Sequence, residues 1–271
     1  MNYRLIAMDL DGTLNDDAKH ITPLTWQALM RAQAQGIRLA LASARPLPGL
    51  YRERDALRLQ DHRGLLMAYN GGRIVDASTG AVLHESGMTL EEARFVLRAL
   101  EALPCTPILD DGVQFYVTDK NGFKVEYECQ NNNMRCDEVA NLADFIHFAP
   151  VKILLSVDPP ALSAVQAQIA SLLPRGLTVV QTAAFYLEVL PASINKGQGL
   201  IDVCRLAGVP PEAVIAFGDA ENDIAMLCAA GMGVAMGNAD ARVKAAADHV
   251  TLDNNHDGIA AALEALLQPA Q

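Results

Sequence analysis

The stretch "IAMDLDGTLNDD", residues 6–17, sets two aspartates one residue apart, directly after an apolar run and just ahead of a glycine. Leu5-Ile6-Ala7-Met8 is short, continuous and apolar, which suits a strand buried on both faces of a parallel sheet. Ligand crevices in open α/β sheets lie beyond the carboxyl ends of such strands, so Asp9 and Asp11 stand where chemistry is expected. Side chains two apart on extended backbone point the same way. Two carboxylates projecting together need a cation, a shared proton or a raised pKa.

The neighbouring sequence repeats the strand–helix alternation. Thr22 reads as an N-cap, Pro23 as the first helical residue and Gly36 as the stop. "IRLALA" (37–42) is a second strand, a helix is expected between Pro48 and Leu59, and "LLMAY" (65–69) is a third strand ending at Asn70-Gly71-Gly72. "RIVDASTGAVLHE" then reads as a hairpin. Thr89 with Glu92 forms a capping box ahead of "LEEARFVLRALEAL". Strands are expected near 106–109, 113–118, 122–128, 151–157, 177–182 and 185–190, with a helix over 159–172. "DDG" (110–112) and "NNNMRCDE" (131–138) read as turns and a loop. From Lys196 the alternation returns: a helix stopped by Gly208, the strand "AVIAF", the turn "GDAEND", a helix to Ala230, the strand "MGVAM", then "HVTL" and a last helix from Asp257. The fold class is therefore α/β: a doubly wound, Rossmann-like parallel-sheet core from residues 1–83 and 191–271, split by an inserted α+β domain over 84–190.

Composition narrows the function. The 271 residues suit one large and one small domain. Lys plus Arg number 21 against 32 Asp plus Glu, a formal charge of −11, which disfavours nucleic acid and anionic membrane as partners. The five cysteines (105, 129, 136, 204, 228) form no CxxC pair and are expected as buried, reduced thiols rather than disulfides or zinc ligands. With no signal-like segment and no run of 18 uncharged apolar residues, a soluble, cytoplasmic protein is expected. None of the six histidines has ligand-like spacing, and Trp26 reads as packing.

The polar residues just after the apolar runs are Asp9, Asp11, Ser43, Arg45, Asn70, Asp219, Asn222 and Asp223. A hard divalent cation, Mg2+, held by carboxylates that include Asp219 answers the repulsion between Asp9 and Asp11. With it, Asp9 can act as nucleophile on phosphorus and Asp11 as acid and then base. Lys196 and Ser43 can supply charge and donors to a phosphoryl group.

Four pieces in this order, "DLDGT", "ALASAR", "NKGQG" and "GDAEND", resemble the four motifs of the haloacid dehalogenase superfamily of phosphohydrolases. The long insertion, "YNGG" at 69–72 and "FGDAENDIAML" are similar to the Cof-type branch, whose members carry a type IIB cap and often hydrolyse sugar phosphates. The resemblance implies Asp9 as nucleophile and magnesium ligand, Asp11 as acid/base with its carbonyl on the metal, and Asp219 as the other ligand. It implies phosphate contacts from the Leu10 and Ala44 backbone, Ser43, Lys196 and Asn222, with Asp223 ordering metal waters or Lys196, and Arg45 and Asn70 on the substrate side. Ala44 departs from the glycine often found there, and is strained if that backbone needs a positive φ. The reading that follows is a magnesium-dependent phosphohydrolase of a small phosphorylated metabolite. A sugar phosphomutase and a non-catalytic phospholigand-binding module are the alternatives; monomer and homodimer both stay open.

Overall fold

The structure, a computed structural model, describes residues 3–267. It divides into two compact units, one built from the chain up to His84 together with the chain from Asn195, the other from Glu85–Ile194.

In the first unit the described residues form an eight-stranded sheet. Its order is His249–Val250, Met232–Ala235, Val214–Gly218, Leu5–Met8, Arg38–Ala42, Leu65–Ala68, Arg73–Asp76 and Val82–Glu85. Leu5–Met8 is central, with parallel neighbours on both sides: Ala7 pairs with Ala40 on one and with Ala216 on the other. All four of its residues are buried, as the unbroken apolar run requires. One neighbour follows it closely in sequence and the other only after the insertion, so the strand order reverses here and a crevice opens at the strand ends. One face of the sheet packs Leu5, Ala7, Ala40 and Ala216 against Leu200, Val203, Met226 and Leu227 from the helices Lys196–Ala207 and Ile224–Ala229. The expected hairpin is present, and Arg73–Asp76 joins this sheet antiparallel to Leu65–Ala68.

The second unit is a six-stranded sheet among the described residues, in the order Leu177–Ala183, Tyr186–Pro191, Ile153–Ser156, Thr106–Asp110, Phe115–Val117 and Cys136–Glu138. Ile153 and Leu155 join one apolar cluster, with the helices Leu90–Leu100 and Leu162–Leu172, whereas Leu154 between them joins another with Val125. This is the two-residue period of a sheet covered on both faces.

Several sequence expectations are corrected. Residues 122–128 are no strand: Val125–Asn132 is a helix that takes in the start of "NNNMRCDE", and Cys136–Glu138 is a strand. Its buried residues, Val125, Glu128 and Asn132, follow helical spacing, but two are polar and hide the pattern. The expected Pro48–Leu59 helix is three short pieces, Leu47–Leu50, Tyr51–Ala56 and Leu59–Asp61, with Arg58 left-handed between the last two. All five cysteines are free, but only Cys204 is buried and Cys228 is exposed. Thr22 occupies the N-cap position without capping; its hydroxyl donates to Asp257 instead. Among the described residues no helix is long and apolar enough to cross a membrane.

The capping box at the Leu90–Leu100 helix is complete. The Thr89 hydroxyl accepts from the Glu92 amide at 3.1 Å, and the Thr89 amide donates to Glu92 Oε2 at 2.8 Å. Thr89→Ala is expected to cost about 1 kcal/mol in urea unfolding. These Thr89 donors hold the Glu92 carboxyl below its ordinary value of 4.5, so its contribution is full above that pH and lost as pH falls through the lowered value. The stability gap between wild type and Glu92→Gln should therefore close in acid.

Candidate active site

All the sequence-predicted site residues lie in the first unit. The Asp9 amide donates to Phe217 O at 3.1 Å, continuing the ladder, and then the chain turns. The Asp9 carbonyl accepts from the Leu14 amide at 3.2 Å, and the Leu10 carbonyl from the Asn15 amide at 2.9 Å. Gly12 has φ +82°, and a Cβ there would stand 2.5 Å from Asp219 Oδ2, so glycine is required both for conformation and for space. The chain turns at Leu10 and again at Gly12, on either side of Asp11. Each carboxylate has its own cation: Asp9 has Lys196, and Asp11 has Arg45 and Lys19.

Lys196 opens the Lys196–Ala207 helix, whose N-cap Asn195 accepts from the Gln198 amide. Its side chain is 1% exposed, and its ammonium donates to Asp9 Oδ1 at 2.5 Å and Asp223 Oδ1 at 2.6 Å. Asp223 is fully buried, and its other oxygen accepts from the Asp219 and Ala220 amides, each at 3.0 Å. Burial, reinforced by Asp223 and Asp219 and opposed by Lys196, pushes Asp9 up to about 8. Burial and Asp223 push Asp219 up to about 6, although the Thr13 hydroxyl donates to it at 2.6 Å. Burial opposes the charge on Lys196, yet Asp223 and Asp9 raise its pKa.

Asp9, Asp219 and Asp223 offer oxygens within 4.8 Å of one another. Of these three carboxylates Asp9 and Asp223 share the Lys196 ammonium, and Asp9 and Asp219 already bind protons too readily. That excess of negative charge fits a hard divalent cation. Asp11 differs: burial alone would raise it, but Arg45 and Lys19 hold it below the ordinary range. Arg45 does so with two hydrogen bonds, at 2.8 and 2.7 Å, and Lys19 with one at 2.6 Å.

The buried Ser43 hydroxyl accepts from the Arg45 amide at 3.2 Å, and the Ser43 carbonyl from the Asn70 amide at 2.8 Å. Ala44 is not among the residues with positive φ, so the feared strain is absent. Asn70 has a positive φ, 56°, and its side chain accepts from Asn222 Nδ2 at 3.1 Å. Leu10 is fully buried, and its carbonyl accepts from the Thr13 and Asn15 amides. Lys19, Thr13 and Asn238, which donates to Gly12 O at 2.8 Å, were not singled out from sequence. Thr13 belongs to "DLDGT" itself and Asn238 follows the strand Met232–Ala235, so both were legible there; Lys19 lies off the strand ends.

The family model of haloacid dehalogenase-like hydrolases matches residues 6–263. A pyridoxal phosphate phosphatase of Escherichia coli is 30% identical over 269 residues, 96% of this chain and 97% of its own. A solved haloacid dehalogenase-like hydrolase from Bacteroides thetaiotaomicron is 33% identical, with a TM-score of 0.92 over 98% of this chain and 100% of that one. A subclass IIB sugar phosphatase, 23% identical over 97% of this chain and 98% of its own, shares the fold with a TM-score of 0.79.

Removing one partner of a buried ion pair strands the other charge. Lys196→Met is therefore expected to lose about 3–5 kcal/mol in urea unfolding. Adding Asp9→Asn should recover part of that loss; strict additivity of the two changes would show that they do not share a network.

Proposed function

We propose that this chain, which belongs to the haloacid dehalogenase-like hydrolase family and is a phosphoric monoester hydrolase, works through an aspartyl phosphate on Asp9, with magnesium, on a small phosphorylated metabolite such as a sugar phosphate. The observation that carries the reading is the buried Lys196 ammonium joining Asp9 to Asp223 at the crevice end of the central strands. A carboxylate buried there beside fixed positive charge suits attack on phosphorus better than a structural role.

An Asp9 oxygen bonds to phosphorus as the ester P–O bond breaks, and the Asp11 carboxyl gives its proton to the leaving oxygen. Water then loses a proton to Asp11 and attacks phosphorus, the acyl-phosphate P–O bond breaks, and phosphate leaves with Asp9 restored. Lys196, the Ser43 hydroxyl, Asn222 and the Leu10 and Ala44 backbone bind the phosphoryl oxygens. Magnesium, held by Asp9, Asp219 and the Asp11 carbonyl beside Asp223, would supply charge neutralisation of those oxygens. Arg45 and Lys19 keep Asp11 ionised until an incoming phosphate dianion competes for both cations; the freed carboxyl can then take up a proton.

In this reading residues 84–190 are a type IIB cap on a core of 1–83 and 191–271, and Arg45 and Asn70 lie on the substrate side. Pyridoxal phosphate and sugar phosphates, the substrate classes in the names of two similar proteins, are both small monoesters. Their difference leaves the leaving group to be found by a panel of phosphorylated metabolites.

Asp9→Asn should lower turnover of p-nitrophenyl phosphate by more than about 1,000-fold, with an unchanged circular dichroism spectrum. Retained activity in the purified variant would remove Asp9 as nucleophile. Chelation with EDTA should stop phosphate release and excess magnesium restore it; full turnover in EDTA would overturn the metal assignment.

A further inference from the structure

Among the described residues the core unit buries one acid, besides Asp9 and Asp223, for which the chemistry above has no use. Glu53 sits in the Tyr51–Ala56 helix with its side chain 1% exposed. Its Oε1 accepts from Asn15 Nδ2 at 3.0 Å and from Arg52 Nε at 2.9 Å, and the Arg52 guanidinium ion-pairs with the same oxygen. Glu53 Oε2 and Asn15 Oδ1 are buried without a hydrogen-bond partner. An apolar side chain of that volume would cost less to bury. What an apolar side chain cannot do is accept a hydrogen bond from Asn15.

Asn15 closes the loop that carries both aspartates. It is fully buried, its amide donates to Leu10 O at 2.9 Å, and it makes the isolated bridge with Asp11. From the other side Asn254 Nδ2 donates to the Asn15 carbonyl at 3.0 Å. The backbone of Asn15 thereby fixes the residues between Asp9 and Asp11, while its side chain is held by Glu53.

We propose that Glu53 is a positioning residue for phosphoryl transfer: by orienting Asn15 it sets the course of residues 9–15 and so the aim of Asp9 and Asp11. The inference rests on the roles given above to those two aspartates. It differs from a merely structural role in predicting a local effect on that loop and a change in kcat rather than in KM.

The test compares Glu53→Met, which keeps the volume and deletes the acceptor, with Glu53→Gln, which keeps an acceptor. Val243→Ala, a buried apolar truncation elsewhere in the core unit, serves as the destabilised control. Hydrogen exchange by mass spectrometry should show faster exchange of the Leu14 and Asn15 amides in Glu53→Met, with the amides of the parallel strands unchanged. With magnesium and p-nitrophenyl phosphate, at a temperature where all variants are folded, kcat should fall about 10- to 100-fold and KM should change far less. Glu53→Gln should restore both readouts, and Val243→Ala should alter neither. Unchanged exchange over residues 9–15 in Glu53→Met, or equal damage in Glu53→Gln, would overturn the assignment. Exchange is read without turnover, so it decides the role of Glu53 even if wild type releases no phosphate, an outcome that would count against the hydrolase mechanism alone.

Discussion

The rest of the core site depends on one buried cation. Lys196 is inside the protein with two carboxylates on its ammonium, and a lysine so placed would lose its charge without them. Asp9 comes from the end of the first strand, Asp223 from the turn after "AVIAFGDAEN", and Lys196 from the helix that follows the insertion. Three segments far apart in sequence are thus pinned to one point by charges that cannot separate cheaply in a low-dielectric interior.

The backbone around this point leaves no room for side chains. A Cβ on Gly12 would meet the Asp219 carboxylate, one on Gly218 would stand 2.4 Å from Asp223 Cβ, and one on Gly71 would stand 2.8 Å from Gly199 Cα. Gly12 and Gly71 also have positive φ, so their requirement is double. Close packing of the strand-end turns is what lets three acids approach one ammonium and one another.

The positions of the acids were legible in the sequence because each follows an apolar run that can only be a central strand, and strand ends in such sheets converge. Their partners were not legible. The period-two rule places two carboxylates but not the cations that meet them, and Asp9 has Lys196 while Asp11 has Arg45 and Lys19. Lys19 escaped notice because a loop, not a strand end, delivers it. The helix Val125–Asn132 escaped because two of its three buried residues, Glu128 and Asn132, are polar, and periodicity is read from apolar residues. Capping chemistry read well at Thr89 and Glu92, where every partner is local, and misread at Thr22, whose hydroxyl is claimed by Asp257 far along the chain.

The two aspartates that opened the question end up with opposite electrostatics. Asp9, buried and crowded by Asp223 and Asp219, is pushed toward its protonated form, whereas Asp11, between Arg45 and Lys19, is held ionised. Under the proposed roles Asp9 as nucleophile needs the ionised form and Asp11 as general acid the protonated one, so before any ligand arrives each would be inverted relative to its task. Both inversions are relieved by the charges the reaction brings: added positive charge among the acids favours ionised Asp9, and a phosphate dianion that draws on Arg45 and Lys19 favours protonated Asp11. Under that mechanism such a site would be switched on by its own ligands, because the differential interaction that changes each protonation state would be the binding itself.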